Sequence, residues 1–340
     1  MTRRQDSVTI REVAKQAGVS VATVSRYINH NVPVSAEVAA RLERVMRDLR
    51  YAPDAAARRL ASRKTRLLGL LLTNIHSDFY VPLLNGVESV VRERDYNLLV
   101  SMYQSEPGCD QPPPIGPHNT DGLIIYADSL SDDELVSLHA GGFPMVLIHR
   151  TAPGTLDIPS VTIENKAATH KLLEHLIVHH HKRRILFLRG RTSQEDARWR
   201  EAGYRSALAA HGISLDPALV VAGEFEREVA YQALNRLLDD GRRTPFDAVF
   251  AGNDDAAMGV IKSLQEHSLR VPEDIPVVGF DDLRVSGYLT PSLTTVHAPT
   301  EDVGALAARQ VFSAIEGEKK SGTTLLPTEL IIRRSCGCGG

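Results

Sequence analysis

A chain of 340 residues is too long for one ordinary hydrophobic core and predicts a small unit joined to a large or bilobed one. The apolar fraction of 43% and the charged fraction of 24% are typical of folded globular proteins and exclude the disordered and fibrous classes. The net charge of -3 hides an asymmetry, because residues 1–66 hold 14 Lys and Arg against 6 Asp and Glu while the rest holds 25 against 36, and this predicts a polyanion-binding module on an acidic body.

The start of the chain and its cysteines bear on location. Residues 1–7 are polar and basic with no apolar stretch behind them, and no run approaches the roughly 20 apolar residues of a membrane span. The cysteines, Cys109, Cys336 and Cys338, form no disulfide framework, which agrees with a reducing compartment. We therefore expect a cytoplasmic protein with no membrane partner. Cys336 and Cys338 could bind a metal or oxidise, but an isolated pair lacks the rest of a zinc site, so no metal site is predicted.

Three short helices are predicted within residues 9–49. Thr9 can cap the first helix and Gly18 can end it, while Ser20 can cap a second helix that places Val24 and Ile28 inward. Helix, glycine turn and helix form a helix-turn-helix arrangement. A plain helical bundle with no nucleic-acid role has the same pattern, but the excess of Arg favours DNA binding. A third helix follows a Ser35 cap and carries an apolar stripe of Val38, Leu42, Val45, Met46 and Leu49.

Residues 9–29, which read TIREVAKQAGVSVATVSRYIN, resemble the DNA-binding signature of the lac repressor (LacI/GalR) family, and Val34-Ser35 and residues 49–53 (LRYAP) continue it. The resemblance implies that the second helix lies in the major groove with Val21, Ala22 and Arg26 at the base-reading positions. Arg26 can contact guanine O6 and N7 together, whereas Val21 and Ala22 offer apolar contacts, for example to thymine methyl groups. The remaining matched positions would mostly bind phosphates: Thr9, Ser20, Thr23, Ser25 and Asn29.

Residues 53–62 predict one further helix, because a proline at its start is followed by strong helix formers. At about ten residues such a helix is marginal when isolated. It resembles the hinge helix of the family, which orders when two subunits bind the operator, and Leu60 matches the residue that wedges between base pairs in the minor groove. The alternative is a flexible linker that contains an incidental leucine.

From Leu67 onward, short apolar runs alternate with amphipathic helical stretches, which predicts two doubly wound parallel sheets in an α/β body. The natural ligand site of two such lobes is the cleft between them, at the carboxyl ends of the strands. The predicted strands span 67–73, 98–102, 122–126, 145–149, 185–188, 219–222, 248–252 and 277–280. The predicted helices include 80–94, 165–178, 197–211 and 254–267.

The motifs of several enzyme classes are absent from this body. No strand is followed by the glycine pattern of a dinucleotide site, and the phosphate loop of nucleotide triphosphatases, the nucleophile elbow of hydrolases and the two-histidine helix of metalloproteases are missing. We therefore predict no cofactor, no catalytic residue and no enzymatic activity.

The body also resembles the family and, through it, periplasmic sugar-binding proteins. The matching landmarks are residues 69–74 (GLLLTN), 120–125 (TDGLII), 202–208 (AGYRSAL), 251–259 (AGNDDAAMG), 277–282 (VVGFDD) and 293–296 (LTTV). The likeness covers nearly the whole chain. In that architecture the chain crosses between the lobes three times, here near Pro159, Pro291 and Leu325, so each lobe is built from discontinuous segments.

Carried over by position, seven residues of the body suit a small-molecule effector of the sugar type. An aromatic face stacks on the apolar side of a sugar ring, while Arg, Asn and Asp make paired hydrogen bonds to neighbouring hydroxyls. Each residue also has a structural alternative, such as a surface ion pair for the arginine, a helix cap for an aspartate or a packing role for a phenylalanine. The candidates are Phe79, Tyr80, His149, Arg198, Phe225, Asn253 and Asp281.

Two features depart from the family pattern, and one unusual run of residues resembles it. His149 and Arg150 stand where an acidic residue is common, which would suit a more acidic effector. Three consecutive prolines within residues 105–119 forbid a helix that the family usually has there, so we expect this edge of the lobe, and any dimer contact on it, to be remodelled. The run 179–184 (HHHKRR) resembles a family turn before a strand and is interpreted as a surface turn.

Together these observations predict an all-α helix-turn-helix DNA-binding domain at 1–52, a hinge helix and linker at 53–65, and a bilobed periplasmic-binding-protein-like domain at 66–340. The expected partners are double-stranded DNA with a palindromic operator, a carbohydrate effector and a second copy of the chain, because two-fold half-sites require a homodimer. A transport protein would have no use for the DNA-binding unit, and an architectural DNA protein would not need the bilobed body. We predict an effector-controlled transcription regulator that acts as a repressor.

Overall fold

The computed structural model describes residues 8–29, 34–51, 64–105, 111–239, 246–318 and 320–339. The chain forms two compact units, Met1–Thr65 and Arg66–Gly340, and each is described by itself. The predicted hinge helix with Leu60 lies outside the described residues, as does Cys109.

The first unit contains three helices, α1 (Ile10–Ala17), α2 (Val21–Asn29) and α3 (Ala36–Asp48). Gly18 ends α1 in the left-handed region with φ +63°, which a glycine adopts without steric cost, and the side chain of Ser20 accepts a hydrogen bond from the Thr23 amide at the start of α2. The Tyr27 hydroxyl of α2 donates to Glu43 of α3 over 2.9 Å. The helices enclose one core, which comprises Val13, Ala14, Ala17, Val24, Leu42 and Val45.

The second unit contains two parallel sheets and one short antiparallel pair. A six-stranded sheet has the order β11-β5-β4-β3-β1-β2, a four-stranded sheet has the order β7-β6-β8-β9, and β10 pairs with β12. The strands are β1 (Leu67–Leu72), β2 (Asn97–Met102), β3 (Gly122–Tyr126), β4 (Met145–Ile148), β5 (Ser160–Ile163), β6 (Ile185–Arg189), β7 (Val220–Ala222), β8 (Ala248–Ala251), β9 (Val277–Val278), β10 (Thr295–His297), β11 (Thr323–Leu326) and β12 (Glu329–Ile331).

Helices cover the sheets of the second unit. They are α4 (Tyr80–Glu93), α5 (Asp132–Ala140), α6 (Asn165–His179), α7 (Glu195–Ala210), α8 (Arg227–Asp239), α9 (Asp254–Glu266) and α10 (Thr300–Ile315), with short 3-10 helices at Pro217–Leu219, Arg284–Gly287 and Arg334–Cys336. We call the six-stranded sheet with its helices the first lobe and the four-stranded sheet with its helices the second lobe. The predicted architecture of two doubly wound parallel sheets is confirmed.

Strand β1 shows why the central strands read as continuous apolar runs. Leu68, Leu70 and Leu72 pack in the core on the side of α4, whereas Leu71 packs in a separate core on the opposite face. A parallel strand with helices on both faces is buried on both sides, so its sequence does not alternate between apolar and polar residues.

The chain passes between the lobes three times. It leaves the first lobe between β5 and α6, returns between β10 and α10, and leaves again between β11 and β12. These crossings come a few residues later than the predicted positions near Pro159, Pro291 and Leu325. Strand β9 is also shorter than predicted. After Val278 the Gly279 amide donates to the Thr294 carbonyl over 2.9 Å, and Asp281, with φ +107°, bridges to His297 in β10.

The proline-rich stretch forms turns. Its described part, residues 111–119, contains no helix, which agrees with the prediction from the three prolines. Asn119 closes the segment by donating to the Pro114 carbonyl and accepting from the Gly116 amide, each over 3.0 Å. Strand β2 is therefore followed by β3 with no helix among the described residues between them.

Candidate functional site

The exposed face of α2 carries the three predicted base-reading residues. Val21, Ala22 and Arg26 are exposed, while Val24 on the opposite side is fully buried. The predicted phosphate contacts are distributed around this face. Thr9 is exposed before α1, the Ser20 and Thr23 hydroxyls hydrogen-bond to each other over 2.8 Å at the start of α2, Ser25 is half-buried and Asn29 is the last residue of α2.

A cavity of about 260 Å³ lies between the lobes, at the carboxyl ends of strands from both sheets. Loops after β1, β3 and β4 line it from the first lobe, and loops after β6, β7, β8 and β9 line it from the second. Strand ends of doubly wound sheets are the usual ligand sites of such folds. Six of the seven predicted effector residues are among the lining residues: Phe79, Tyr80, His149, Phe225, Asn253 and Asp281.

Arg198 is not part of this lining, so its placement in the cavity was wrong. Its guanidinium donates to the carbonyls of Thr192 and Ser193 outside the cavity. The arginine that lines the cavity is Arg200, two residues along α7. Because helical residues advance by about 100° each, a two-residue step moves a side chain to the other side of the helix.

Arg200 is 3% exposed and is held from several directions. It donates to Asn165 Oδ1 over 2.9 Å, to the Gly252 carbonyl over 2.7 Å and to Asp281 Oδ1 over 3.0 Å. Its guanidinium carbon lies 3.7 Å from the ring centre of Phe280 and 5.1 Å from that of Phe225. The planar cation is therefore fixed in one orientation with an aromatic face beside it.

Phe225 reaches this position because two glycines leave room for its ring. A Cβ atom on Gly190 would lie 2.4 Å from the Phe225 ring, and one on Gly252 would lie 2.8 Å from it. Asn253 supports the same loop, since its amide nitrogen donates to the Phe225 carbonyl over 3.1 Å while its oxygen caps α9 at the Ala256 amide. Both polar groups of Asn253 are therefore engaged within the protein.

A polar network crosses from one lobe to the other beneath the cavity. His149 Nδ1 of the first lobe lies 2.8 Å from Asp196 Oδ2 of the second, an ion-pair distance without hydrogen-bond alignment. Asp196 accepts from Asn165 over 2.8 Å, and Asn165 accepts in turn from Arg200. The chain of contacts continues to Asp281 and so links groups on both sides of the site.

The two buried aspartates of this network have opposite pKa shifts. Burial alone raises the pKa of Asp196, but the neighbouring His149 and Arg200 outweigh it and hold the pKa below its ordinary value. For Asp281 burial prevails over the opposing effect of Arg200 and raises the pKa to about 6. The second carboxyl group is thus poised to change charge near neutral pH, at the wall of the cavity.

Two further observations mark the cavity as a ligand site. Among the described residues, the buried side-chain atoms without a hydrogen-bond partner include four on three lining residues: Asp128 Oδ1, His149 Nδ1 and Nε2, and Gln194 Oε1. Buried polar atoms are rarely left unpaired, so a cluster of them indicates a missing polar partner. Lining residues with positive φ angles are also concentrated here: Ala127, His149, Glu224, Phe225 and Asp281.

Several lining residues were not predicted from the sequence. Asp196 and Arg200 lie four residues apart on the face of α7 that also buries Tyr204, so the helical period could have identified them. Tyr126, the last residue of β3, contacts Tyr80 and His149 edge to face and follows from the rule that strand ends line the site. Arg191 pairs with Glu224 and Glu226 across the loops after β6 and β7, and no local pattern predicts that contact.

Arg150 does not face the cavity. Its guanidinium donates to the carbonyls of Ala127 and Leu130 and pairs with Asp132. The suggestion of a more acidic effector therefore loses one of its two supports. The triple histidine is exposed at His179 and His181, as the surface-turn interpretation requires, but His180 is half-buried.

Comparison with known proteins gives the same two-part organisation. Residues 9–54 match the model of bacterial regulatory proteins of the lacI family, and residues 173–336 match a periplasmic binding protein-like domain. Catabolite control protein A of Priestia megaterium is 31% identical over 97% of this chain and 99% of its own length. Among the described residues, no helix is both long and apolar enough to cross a membrane.

Solved structures agree over the full length. The crystal structure of the lac repressor dimer bound to operator and the anti-inducer ONPF is 27% identical, with a TM-score of 0.81 over 97% of this chain and 99% of that one. The transcriptional regulator CelR in complex with cellobiose is 28% identical, with a TM-score of 0.70 over 96% and 99%. With its DNA-binding signature, its paired parallel sheets and relatives that are transcription regulators, the chain belongs to the lacI family of bacterial regulatory proteins.

Proposed function

We propose that this protein is a homodimeric repressor whose affinity for a palindromic operator is set by a sugar-like effector bound between the two lobes. The assignment of the effector site rests mainly on the Arg200–Asp281 pair, which is buried at the wall of the cavity beside the Phe225 ring. In this proposal residues 1–52 bind DNA, residues 53–65 form the hinge with its Leu60 wedge, and residues 66–340 sense the effector and dimerise.

On DNA, the exposed face of α2 enters the major groove. Arg26 hydrogen-bonds guanine, and Val21 and Ala22 contact apolar base edges. Thr9, Ser20, Thr23, Ser25 and Asn29 contact phosphates and fix the register of the helix. One such helix reads one half-site, so a dimer reads two half-sites related by two-fold symmetry.

The cavity chemistry favours a neutral, hydroxyl-rich ligand. Phe79, Tyr80 and Phe225 provide aromatic surface for the apolar side of a sugar ring, while Arg200 and Asp281 offer a donor and an acceptor for neighbouring hydroxyls. The unpaired Nε2 atom of His149 supplies a further polar contact. Asn253 acts by positioning Phe225. The volume of about 260 Å³ lies just below the usual range for small-molecule sites, which favours one sugar ring over two.

We further propose that the cavity binds its ligand without chemical conversion, in a protein that works in the cytoplasm, where the bacterial chromosome lies. A general acid and base pair would need carboxyl groups free to exchange protons with a substrate. Here His149 and Arg200 hold the pKa of Asp196 low, so Asp281, whose pKa is raised to about 6, does not have Asp196 as a second proton-exchanging carboxyl group. These contacts suit binding and orientation.

The test begins with thermal unfolding of the purified protein in the presence of a panel of pentoses, hexoses, disaccharides and sugar phosphates. A ligand that binds only the native state raises the melting temperature by mass action. Operator sequences are selected from random duplex DNA, and operator affinity is then measured by fluorescence anisotropy with and without each stabilising sugar. We expect a monosaccharide to stabilise the protein and to change operator affinity.

Two outcomes contradict the proposal. If no sugar raises the melting temperature, the assignment of a carbohydrate effector is wrong. If a sugar stabilises the protein but leaves operator affinity unchanged, the cavity binds sugar without controlling DNA binding.

A further inference from the structure

Four metal-ligating side chains meet in the second lobe, away from the cavity. They are His175, on α6, His180, just beyond the end of α6, and Cys336 and Cys338, near the C-terminal end of the chain. One ligand atom from each lies within 4.8 Å of the others, and Cys336 is fully buried while the other three are half-buried. The sequence places the two pairs more than 150 residues apart, so only the fold reveals the cluster.

Three of the six distances between ligand atoms match the edges of a tetrahedral zinc site, and those to Cys336 Sγ are within 4.8 Å. With Zn–N bonds of about 2.05 Å and Zn–S bonds of about 2.3 Å, tetrahedral angles require N···N separations of about 3.3 Å and N···S separations of about 3.6 Å. The Nε2 atoms of His175 and His180 lie 3.2 Å apart. The Sγ atom of Cys338 lies 3.6 Å from the first and 3.4 Å from the second.

The local structure explains how these atoms converge. Helix α6 ends at His179, and the chain then turns so that the His180 ring contacts that of His175 edge to face with centres 4.9 Å apart. Gly337 has φ +103°, a left-handed conformation that reverses the chain between the two cysteines. A Cβ atom at this position would lie 3.4 Å from the His180 ring, so the backbone passes close to the cluster.

The cysteine segment is anchored independently of any metal. The Ser335 hydroxyl donates to the Val277 carbonyl over 2.6 Å and accepts from the Thr294 amide over 2.8 Å. The Ser335 amide donates to the Ser292 carbonyl over 2.9 Å. A site whose ligands are held in place by the surrounding fold needs little rearrangement to bind an ion.

We propose that His175, His180, Cys336 and Cys338 form a structural zinc site. Two thiolates and two imidazoles in a tetrahedral arrangement are a donor set typical of zinc. Four protein ligands leave no open position for water or substrate, so the ion ties the C-terminal segment to α6 and performs no chemistry. The spacing of the histidines falls within the usual range for zinc ligands, while the cysteine pair is one residue tighter than the usual pair.

The test is metal analysis of the full chain purified in reducing buffer. We expect about one zinc ion per chain by inductively coupled plasma mass spectrometry. After chelation, Co²⁺ should produce the thiolate-to-cobalt charge-transfer band and the intense visible bands of a tetrahedral site. Cys338→Ser and His175→Gln should each weaken zinc affinity about tenfold or more. Circular dichroism of each variant reports whether it is folded.

His181→Asn is the matched control, because His181 is an exposed neighbour with φ +55° and asparagine tolerates that conformation. It should bind zinc as the unchanged chain does. A chelator should lower the melting temperature of the unchanged chain by more than it lowers that of Cys338→Ser. The proposal fails if the unchanged chain takes up neither zinc nor tetrahedral Co²⁺, if folded Cys338→Ser binds zinc equally well, or if Cys336 and Cys338 form a disulfide under reducing conditions with zinc present.

Discussion

On α7, Arg198 and Arg200 differ in environment because they occupy different sides of the helix. Arg200 shares the buried face with Ala197 and Tyr204, which lie three residues before it and four residues after it. Carrying over a position from the family pattern led to Arg198. The spacing of apolar residues along the helix instead indicates Arg200. The identity of the buried arginine was therefore predictable from the sequence, but its contacts with Asp281 and Gly252 were not, since these residues are distant in the chain.

The first prediction compares these two arginines. Arg200→Ala should abolish the effect of the sugar on operator affinity, and it should lower the free energy of unfolding by about 3 kcal/mol because it leaves Asp281 buried without its cation. Arg198→Ala should change neither quantity appreciably, since its side chain is exposed to solvent. Anisotropy titrations with and without sugar and urea denaturation measure the two effects. Equal loss of response in both variants would show that the cavity has been misassigned.

The second prediction concerns pH. Burial raises the pKa of Asp281 from its ordinary 3.8 to about 6, so the folded protein holds this proton more tightly than the unfolded chain. The cost of ionising the group in the folded state is absent below pH 3.8 and fully present above about pH 6, and stability should fall by about 2 to 3 kcal/mol across that window. Asp281→Asn should remove this part of the pH dependence in urea denaturation. If the free energies of unfolding of the unchanged protein and Asp281→Asn differ by the same amount at every pH, the raised pKa of Asp281 is contradicted.

At the scale of elements, α2 carries the reading face of the first unit. Arg26→Ala should cost on the order of 1 to 3 kcal/mol of discrimination at one base pair in each half-site, because a bidentate contact to guanine is lost. Affinity for random DNA should fall much less. Arg11→Ala, an exposed arginine on α1, is the control and should weaken all sequences alike. If Arg26→Ala lowers affinity for operator DNA and affinity for random DNA by the same factor, Arg26 does not read a base.

The contact between α4 and α10 depends on two glycines that let the helices approach closely. A Cβ atom on Gly86 would lie 1.9 Å from the Glu301 carbonyl oxygen, and one on Gly304 would lie 2.4 Å from the Leu83 carbonyl oxygen. Both positions are inside helices, where alanine is normally favoured over glycine by about 1 kcal/mol. Helix propensity and packing therefore predict opposite signs for a substitution here.

We predict that packing decides. Gly304→Ala should lower the free energy of unfolding by about 1 to 3 kcal/mol, because the added methyl group collides with backbone that cannot move freely. Gly287→Ala, where nothing lies within 4 Å of the added atom, should be nearly neutral. Thermal and urea unfolding of both variants give the answer. If Gly304→Ala raises the free energy of unfolding, α4 and α10 can move apart without loss of stability.

Most elements of the body were predictable because their patterns are local. The β3 segment, Gly122–Tyr126, has the bounds that the apolar run predicted, and the N-terminal caps and Gly18 gave the three helices of the first unit. The antiparallel pair of β10 and β12 was missed, since Thr295–His297 and Glu329–Ile331 are three-residue strands whose register is set by distant chain segments. Contacts between remote segments leave little signal in either one.

At the scale of the whole body, hydrogen bonds near the cavity hold the lobes together. Ser193 of the second lobe donates to Asp128 of the first over 2.9 Å, and Glu195 accepts from both the amide and the hydroxyl of Thr151. Neither Ser193 nor Glu195 lines the cavity. Because these contacts hold the two lobes on either side of the cavity, we expect them to favour ligand binding without touching the ligand.

The double variant Ser193→Ala, Glu195→Ala should therefore weaken sugar binding in the DNA-free protein by about 1 to 2 kcal/mol, or about 5- to 30-fold. Isothermal titration calorimetry measures this loss. Glu201→Ala is the control on the same helix, because its carboxylate pairs with Arg205 on its own surface. Sugar affinity that is unchanged in the double variant, or reduced equally in the control, would show that the bridging contacts do not favour the bound arrangement.

The three crossings have a consequence for how the protein is made. The first lobe needs α10 and β11, which pack on α4 and pair with β5, yet both come from the last 41 residues of the chain. When β1 to β5 have left the ribosome, α10, which packs on this sheet, has not yet been synthesised. The first lobe therefore stays incomplete, with apolar surface exposed, until most of the second lobe has been synthesised. The small N-terminal unit, whose core comes from one contiguous segment, can fold first. Nascent chains stalled before Thr300 should consequently be more dependent on chaperones than the finished protein.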